Sequence, residues 1–243
     1  MNINMDDLNN IIFRIKNIQK QISFYEENHL YFFKGKQFTS VTTFIGKHKQ
    51  SFDASGSIIK KCAERNNITV NEMQCRWDDI KNEACNRGTL LHLYLENQIR
   101  GIDTLLPIEC LKYSDGVSKF IEWINNKEWK LIDTEVMLYD EDECLAGQID
   151  LLMYDPITKG IVVLDYKTNK NITMDNKYNQ FMKNPYNNYA DNNYNHYSLQ
   201  LNIYGNMLEG FKFNVNKSKF LIHFIDDGFN VIECKNIKWR KEK

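Results

Sequence analysis

Two short runs near the N-terminus, Ile22-Ser-Phe-Tyr and Leu30-Tyr-Phe-Phe, are aromatic and strand-prone, and a third, Phe38-Thr-Ser-Val-Thr-Thr-Phe, follows the turn residues Lys34-Gly35-Lys36. Aromatic and β-branched residues bounded by a glycine turn are the mark of paired strands, so residues 22–45 read as a β-rich unit. The period then lengthens. Helices are predicted near 55–66 and 69–100. In the second, Ala84, Gly88, Leu91, Leu95 and Ile99 recur every three or four residues as one apolar face, and Gly101 is placed to cap it. A further helix over 114–126 turns Val117, Phe120, Ile121 and Ile124 inward.

Beyond it the texture changes to three strands in quick succession, 129–139, 145–154 and 161–166. They are separated by Asp140-Glu-Asp-Glu143 and Asp155-Pro-Ile-Thr-Lys-Gly160. Ile161-Val-Val-Leu164 is apolar without a break, as expected of a strand covered on both faces. A polar stretch rich in Asn and Tyr runs from Asn169 to Asn195. A helix over 196–209 and strands at 220–225 and 230–234 complete the chain. Helix, three strands, helix, strand is an α/β order with helices flanking a small mixed sheet. The division it suggests is an N-terminal β-hairpin and helical subdomain, 1–82, ahead of a core over 83–243.

The 243 residues are 42% hydrophobic and 26% charged, which suits a soluble globular protein with a real core. No stretch approaches the roughly 20 apolar residues that cross a bilayer. Residues 1–10 are polar and acidic, unlike a secretory signal, and an intracellular location without membrane partners is expected. The six cysteines form no C-x-x-C pair, which argues against a zinc module, and most are expected to be small core residues. The net charge of −1 gives no global pull on nucleic acid. Local basic patches exist, however: Lys34, Lys36, Lys47, Lys49, Lys60 and Lys61 with only Asp53 among them, and Lys235 to Lys243 at the C-terminus. Such patches either bind phosphates or form a solvated surface.

The chemistry-bearing residues gather on the central strands. Gly147-Gln-Ile-Asp150 places an acid inside an apolar run, and fifteen residues later Ile161–Leu164 leads into Asp165-Tyr166-Lys167. Side chains alternate along a strand, so Asp165 and Lys167 share a face. A carboxylate and an ammonium there are costly to desolvate unless partners are supplied; metal coordination is one such partner, and a strand-end salt bridge is another. Upstream, Arg87-Gly88-Thr89-Leu-Leu-His92 lies on a helix with Glu96 one turn on. Downstream, Gln200 and Tyr204 are four residues apart on one helix face.

Taken together, these residues resemble the RecB-like branch of the PD-(D/E)XK nuclease superfamily, which includes the mitochondrial genome maintenance exonuclease. The branch combines G-T-x-x-H, an acid on the first core strand, G-x-x-D, D-x-K and Q-x-x-x-Y. The matching positions are Gly88, Thr89 and His92; Glu135; Gly147 and Asp150; Asp165 and Lys167; and Gln200 and Tyr204. They occur in the family's order over about residues 83–225. A looser similarity, carried by Ile22–Glu27, Ser40–Phe44 and Phe52-Asp53, is to nucleases of large DNA viruses.

The resemblance implies a restriction-endonuclease-like core and a Mg²⁺-dependent (or Mn²⁺-dependent) DNA nuclease. His92, Asp150, Asp165 and the main-chain carbonyl of Tyr166 would hold the ion. Glu135 would be a further ligand, Lys167 would orient water and stabilise transition-state charge, and Gln200, Tyr204 and Thr89 would position the phosphate. Single-stranded DNA or DNA with free ends is the implied substrate, in replication, repair or recombination. Some relatives carry four cysteines for an iron–sulfur cluster; only Cys234 follows the core here, so no cluster is expected. There is no G-x-x-x-x-G-K-[ST], so any motor would be a separate helicase or replication protein. The competing reading is a catalytically inactive nuclease-fold protein that binds DNA. The tyrosine-rich stretch 169–195 either stacks on unpaired bases or is a solvated insertion.

Overall fold

The computed structural model describes residues 5–50, 56–177 and 179–239. Phe52, Asp53, Tyr178, Arg240, Lys241 and Lys243 therefore lie outside the described residues. Six α-helices and eight strands are described: α1 (Met5–Gln19), β1 (Ile22–Tyr25), β2 (Leu30–Phe33), β3 (Lys36–Ser40), α2 (Val41–Lys47), α3 (Ser57–Asn66), α4 (Val70–Ile99), α5 (Ser114–Asn125), β4 (Lys130–Asp140), β5 (Leu145–Asp155), β6 (Gly160–Lys167), α6 (Asn193–Gly210), β7 (Phe220–Ile225) and β8 (Gly228–Glu233). The architecture is mixed α/β, an open eight-stranded sheet with parallel and antiparallel pairings, flanked by helices.

Two local outcomes differ from the sequence pattern. The polar, acidic N-terminus leads into α1, whose Leu8, Ile15 and Ile18 are buried in the main core. The run from Phe38 does not stay extended to Phe44. Ser40 accepts a hydrogen bond from Thr43 N–H at 3.0 Å and caps α2, so Val41 to Phe44 are helical despite their β-branched composition. The helix predicted at 69–100 is α4, with a capping box between Thr69 and Glu72. Gly101, at φ +73, follows its last turn. Its apolar face is shorter than predicted: Leu91 and Leu95 are fully buried, but Ala84 is exposed. The N-terminal half of α4 packs instead on α3 through Ile59, Ala63 and Met73. That outlying helix pair leaves Cys75 and Cys85 exposed, and of the six cysteines only Cys110 is buried.

Two apolar clusters cover the sheet's faces, as β6 makes plain. Ile161 and Val163 join the cluster of α1, α2 and α6; Val162, Leu164 and Tyr166 join that of α4 and α5. Residues 82 and 83 both fall within α4, and β3 pairs directly with β5. Ile15, Phe33, Phe38 and Val41 share one core with Leu145, Ile149 and Leu201. No helix among the described residues is long and apolar enough to cross a membrane.

Candidate active site

The site is organised by an interruption in the pairing of β5. One edge of β5 is paired along almost its full length with β4, from Asp140↔Leu145 to Lys130↔Tyr154. The other edge is shared. β3 takes Leu145 and Ala146 in parallel, and β6 takes Leu151 to Asp155 antiparallel. Gly147 to Asp150 lie between the two partners, on an edge with no strand beside it among the described residues. The Asp150 carboxylate substitutes for the missing ladder, with Oδ2 accepting the Tyr166 N–H at 2.6 Å. Ile149 and Leu151, two residues apart, belong to cores on opposite faces, so the pleat breaks at Asp150. Across from it on β4, Glu135 adopts a left-handed φ of 51°, a costly conformation for a residue with a side chain.

His92 of α4, Glu135 and Asp150 converge here. Each offers a ligand atom within 4.8 Å of the other two, and His92 Nδ1 lies 3.5 Å from Asp150 Oδ1. Bonds of about 2.1 Å to a common ion place two ligand atoms no more than about 4.2 Å apart, so a small side-chain adjustment suffices. An imidazole nitrogen with two carboxylates is a donor set that hard or borderline divalent ions accept. Asp165 is adjacent but outside this trio. Its Oδ2 contacts the Lys167 ammonium, and its Oδ1 accepts from Gln200 Nε2 at 3.4 Å. The ring of Tyr166 turns away into the α4–α5 core, edge-on to His92 and Phe120, which leaves its backbone at the site.

The electrostatics follow from crowding buried acids. Burial, and then the Asp150 charge, push the Glu135 carboxyl up to about 8. The same two causes raise Asp165 to about 6 despite Lys167. Asp150 goes the other way: burial opposes its charge, but His92, ahead of Lys167 and the Tyr166 N–H, holds it below the ordinary carboxylate range. Burial disfavours the His92 cation, yet Asp150 outweighs burial and lifts the imidazole to about 8. Lys167 likewise stays a cation, its pKa raised by Asp165 and Asp150 against burial. Its ammonium also lies 4.7 Å from the centre of the Tyr197 ring.

The remaining pair explains a glycine. Gln200 Nε2 bridges Asp165 and the Tyr204 hydroxyl, the latter at 3.3 Å. A Cβ at Gly147 would lie 2.6 Å from Tyr204 Cε1 and 2.8 Å from its hydroxyl. G-x-x-D and Q-x-x-x-Y thus interlock: the glycine admits the tyrosine to the bare edge of β5. Gly88 has no such need, since a Cβ there would meet Thr168 at an ordinary 3.5 Å. Thr89 is exposed at the rim, its hydroxyl donating to the Cys85 carbonyl.

No protein-family model matches the chain, and the search of curated proteins returns no match.

All the side chains of the candidate site except that of Tyr166 line one cleft of about 670 Å³. Sequence reasoning missed part of its lining. Phe24 and Tyr31 of the N-terminal strands, His29 between those strands and Ser40 ahead of α2 line the same cleft. Their aromatic alternation was visible, but only the β3–β5 pairing brings them to the site. The features expected to meet a substrate lie elsewhere. Lys167 is the one lysine among the described residues lining the cleft; Lys34 pairs with Glu141, and Lys36 contacts Cys144. In the tyrosine-rich stretch, Tyr186 is buried against His48, Tyr189 packs on the core under Lys235, and Tyr194 donates to the Glu233 carbonyl. These three tyrosines hold an irregular segment onto the body of the protein.

Proposed function

We propose that the chain is a divalent-metal-dependent nuclease that hydrolyses DNA phosphodiester bonds, built on a restriction-endonuclease-like core. One observation carries the reading. His92, Glu135 and Asp150 converge beside an Asp165–Lys167 pair at the stretch of β5, Gly147 to Asp150, where one edge has no strand partner among the described residues. A structural ion pair would need Asp165 and Lys167 alone; it would not need three further ligand-type groups crowded until Glu135 is driven to about 8.

His92, Glu135 and Asp150 would hold the ion, and Asp165 would join them by releasing Lys167. Carboxylates suit Mg²⁺ or Mn²⁺, and the imidazole favours the softer Mn²⁺. When bound, the ion supplies positive charge to a phosphate and lowers the pKa of a coordinated water. Lys167, a buried cation against the Tyr197 face, would be freed by that exchange to orient water and to balance charge that grows on the phosphate. Gln200 fixes Asp165, and Tyr204 fixes Gln200. Five carboxyl groups line the cleft, from Glu26, Glu96, Glu135, Asp150 and Asp165, against the cations His92 and Lys167. A polyanion enters such a cleft only when cations come with it, so DNA binding itself depends on the ion. Retention of a competent residue at each position favours catalysis over a nuclease-fold protein that only binds DNA.

Digestion of end-labelled linear and circular DNA, single-stranded and duplex, tests the reading. Cleavage in Mg²⁺ or Mn²⁺ that stops with EDTA is expected. Cutting of circles would identify an endonuclease, and their resistance an exonuclease. No cleavage of any of these DNAs with either ion would refute the proposal.

A further inference from the structure

The cleft is lined by two chemically different sets of residues. One is acidic and takes cations. The other is aromatic and apolar: Phe24, His29 and Tyr31, with Leu93 of α4, 54% exposed. Phe24 and Tyr31 are cross-strand partners in the β1–β2 register, so their side chains emerge on the same face. Their rings stack at 4.7 Å between centroids, with an interplanar angle of 29°. His29 stands edge-on to both, at 5.1 and 5.7 Å.

Burial explains only part of this cluster. Tyr31 is buried and Phe24, half-buried, packs against the same core, but His29 is exposed. His29 also occupies a left-handed conformation, φ 52°, where the chain leaves the short helical turn at Glu26–Asn28. There its N–H caps the turn by donating to the Glu26 carbonyl. The same placement brings its imidazole against two aromatic rings that line the acidic cleft. Tyr31 remains a neutral phenol, pushed up to about 12 by burial and then by Glu135. That coupling puts the aromatic wall within electrostatic reach of the site.

We infer that Phe24 and His29, with Tyr31 and Leu93, form a stacking subsite for one unpaired nucleobase of the DNA strand being cut. This deepens the nuclease reading and rests on it. The chemistry of this lining selects the base over the phosphate: Glu26 belongs to it and repels anions, whereas a flat, weakly charged ring gains contact on either face. A cleft of about 670 Å³ falls in the range of small-ligand pockets, so it suits a nucleotide and not a turn of duplex. The base must then be unpaired, and the preference for single strands and frayed ends resides in this wall, not in the tyrosine-rich stretch.

The test uses the full chain and a fluorescent single-stranded oligodeoxynucleotide. A companion set carries one abasic residue at successive positions. Binding is followed by anisotropy in Ca²⁺, and cleavage of the same strands in Mg²⁺. For the wild type, an abasic residue at one position relative to the cut should weaken binding roughly 5- to 150-fold, the worth of one base–aromatic stack. The double variant Phe24→Leu/His29→Ala should lose a similar factor on the intact strand and should no longer respond to the abasic residue. His29→Ala alone, at an exposed position, keeps the comparison available if Phe24→Leu disturbs folding. If the double variant binds the intact strand as tightly as the wild type, or stays fully sensitive to the abasic residue, the subsite is wrong while the nuclease reading stands. If the wild type neither binds nor cuts DNA with any of the ions, both readings fail together.

Discussion

His92, Glu135 and Asp165 each keep a proton to higher pH in the folded, metal-free protein than in the unfolded chain. Glu135 and Asp165 are raised by burial and by Asp150, to about 8 and about 6, and Asp150 raises His92 to about 8 in spite of burial. A folded state that binds more protons than the unfolded state loses stability as pH rises. Stability of the metal-free protein should therefore fall between about pH 4.5 and pH 8. Asp150, whose pKa is lowered mainly by His92, works in the opposite sense, contributing stability that is lost on acidification below the ordinary carboxylate value. A divalent ion competes with the same protons, so its effect should grow with pH. Thermal melts from pH 5 to pH 9, with and without Mn²⁺, should show the melting temperature of the apo-protein declining toward pH 8 and the gain from metal widening over the same range. A metal effect independent of pH would mean that these residues do not bind the ion. Calcium, with more ligands and looser geometry, should support DNA binding without turnover. Turnover in Ca²⁺ equal to that in Mg²⁺ would contradict the ligand set.

Among the elements, the junction of β5 with α6 gives the sharpest test. A methyl group at residue 147 would meet the Tyr204 ring well inside van der Waals contact. Gly147→Ala should thus cost about 1–3 kcal/mol of stability, the usual range for overpacking, and displace Tyr204 from Gln200. In a Tyr204→Ala background the same substitution should cost much less, because the opposing ring is gone. Additive costs in denaturant melts would show that the two motifs do not interlock. Much at this scale was legible in the sequence. The strands 129–139, 145–154 and 161–166, the helix ending before Gly101 and the inward face of 114–126 all follow from periodicity and turn chemistry. What was not legible has physical causes. Val41 to Phe44 look extended by composition, and only the Ser40 cap makes them helical. Tyr186, Tyr189 and Tyr194 look like an exposed tract, and only tertiary packing absorbs them. The residues of the candidate site were legible as motifs, but Phe24, His29 and Tyr31 were not, because a parallel pairing of just Thr39 and Ser40 with Leu145 and Ala146 delivers them.

At the scale of the whole molecule, the N-terminal strands and the central sheet share one core. Cutting the chain at residue 82 would divide α4 and remove Ile15, Phe33, Phe38 and Val41 from the cluster that also holds Ile149 and Leu201. A fragment of residues 83–243 should accordingly lack a cooperative melt and bind hydrophobic dyes, whereas the full chain should unfold in one transition. A fragment that melts cooperatively would make the N-terminal region an appendage. The same pairing brings Phe24 and Tyr31 to the cleft that holds the acids, so loss of the N-terminal strands should remove both the fold and the proposed base-stacking contact. The account rests finally on chemistry at the bare edge of β5. The most direct measurement is the single-turnover rate on an end-labelled single strand in Mg²⁺ and in Mn²⁺, for the wild type beside Asp165→Asn and Lys167→Met. Both replacements preserve much of the original shape, and circular dichroism would verify the fold. The account predicts metal-dependent cleavage by the wild type and a fall of at least about 10²–10³-fold in each variant, the scale of losing one transition-state charge partner. Near-normal cleavage by either folded variant, or cleavage that persists in EDTA, would contradict it.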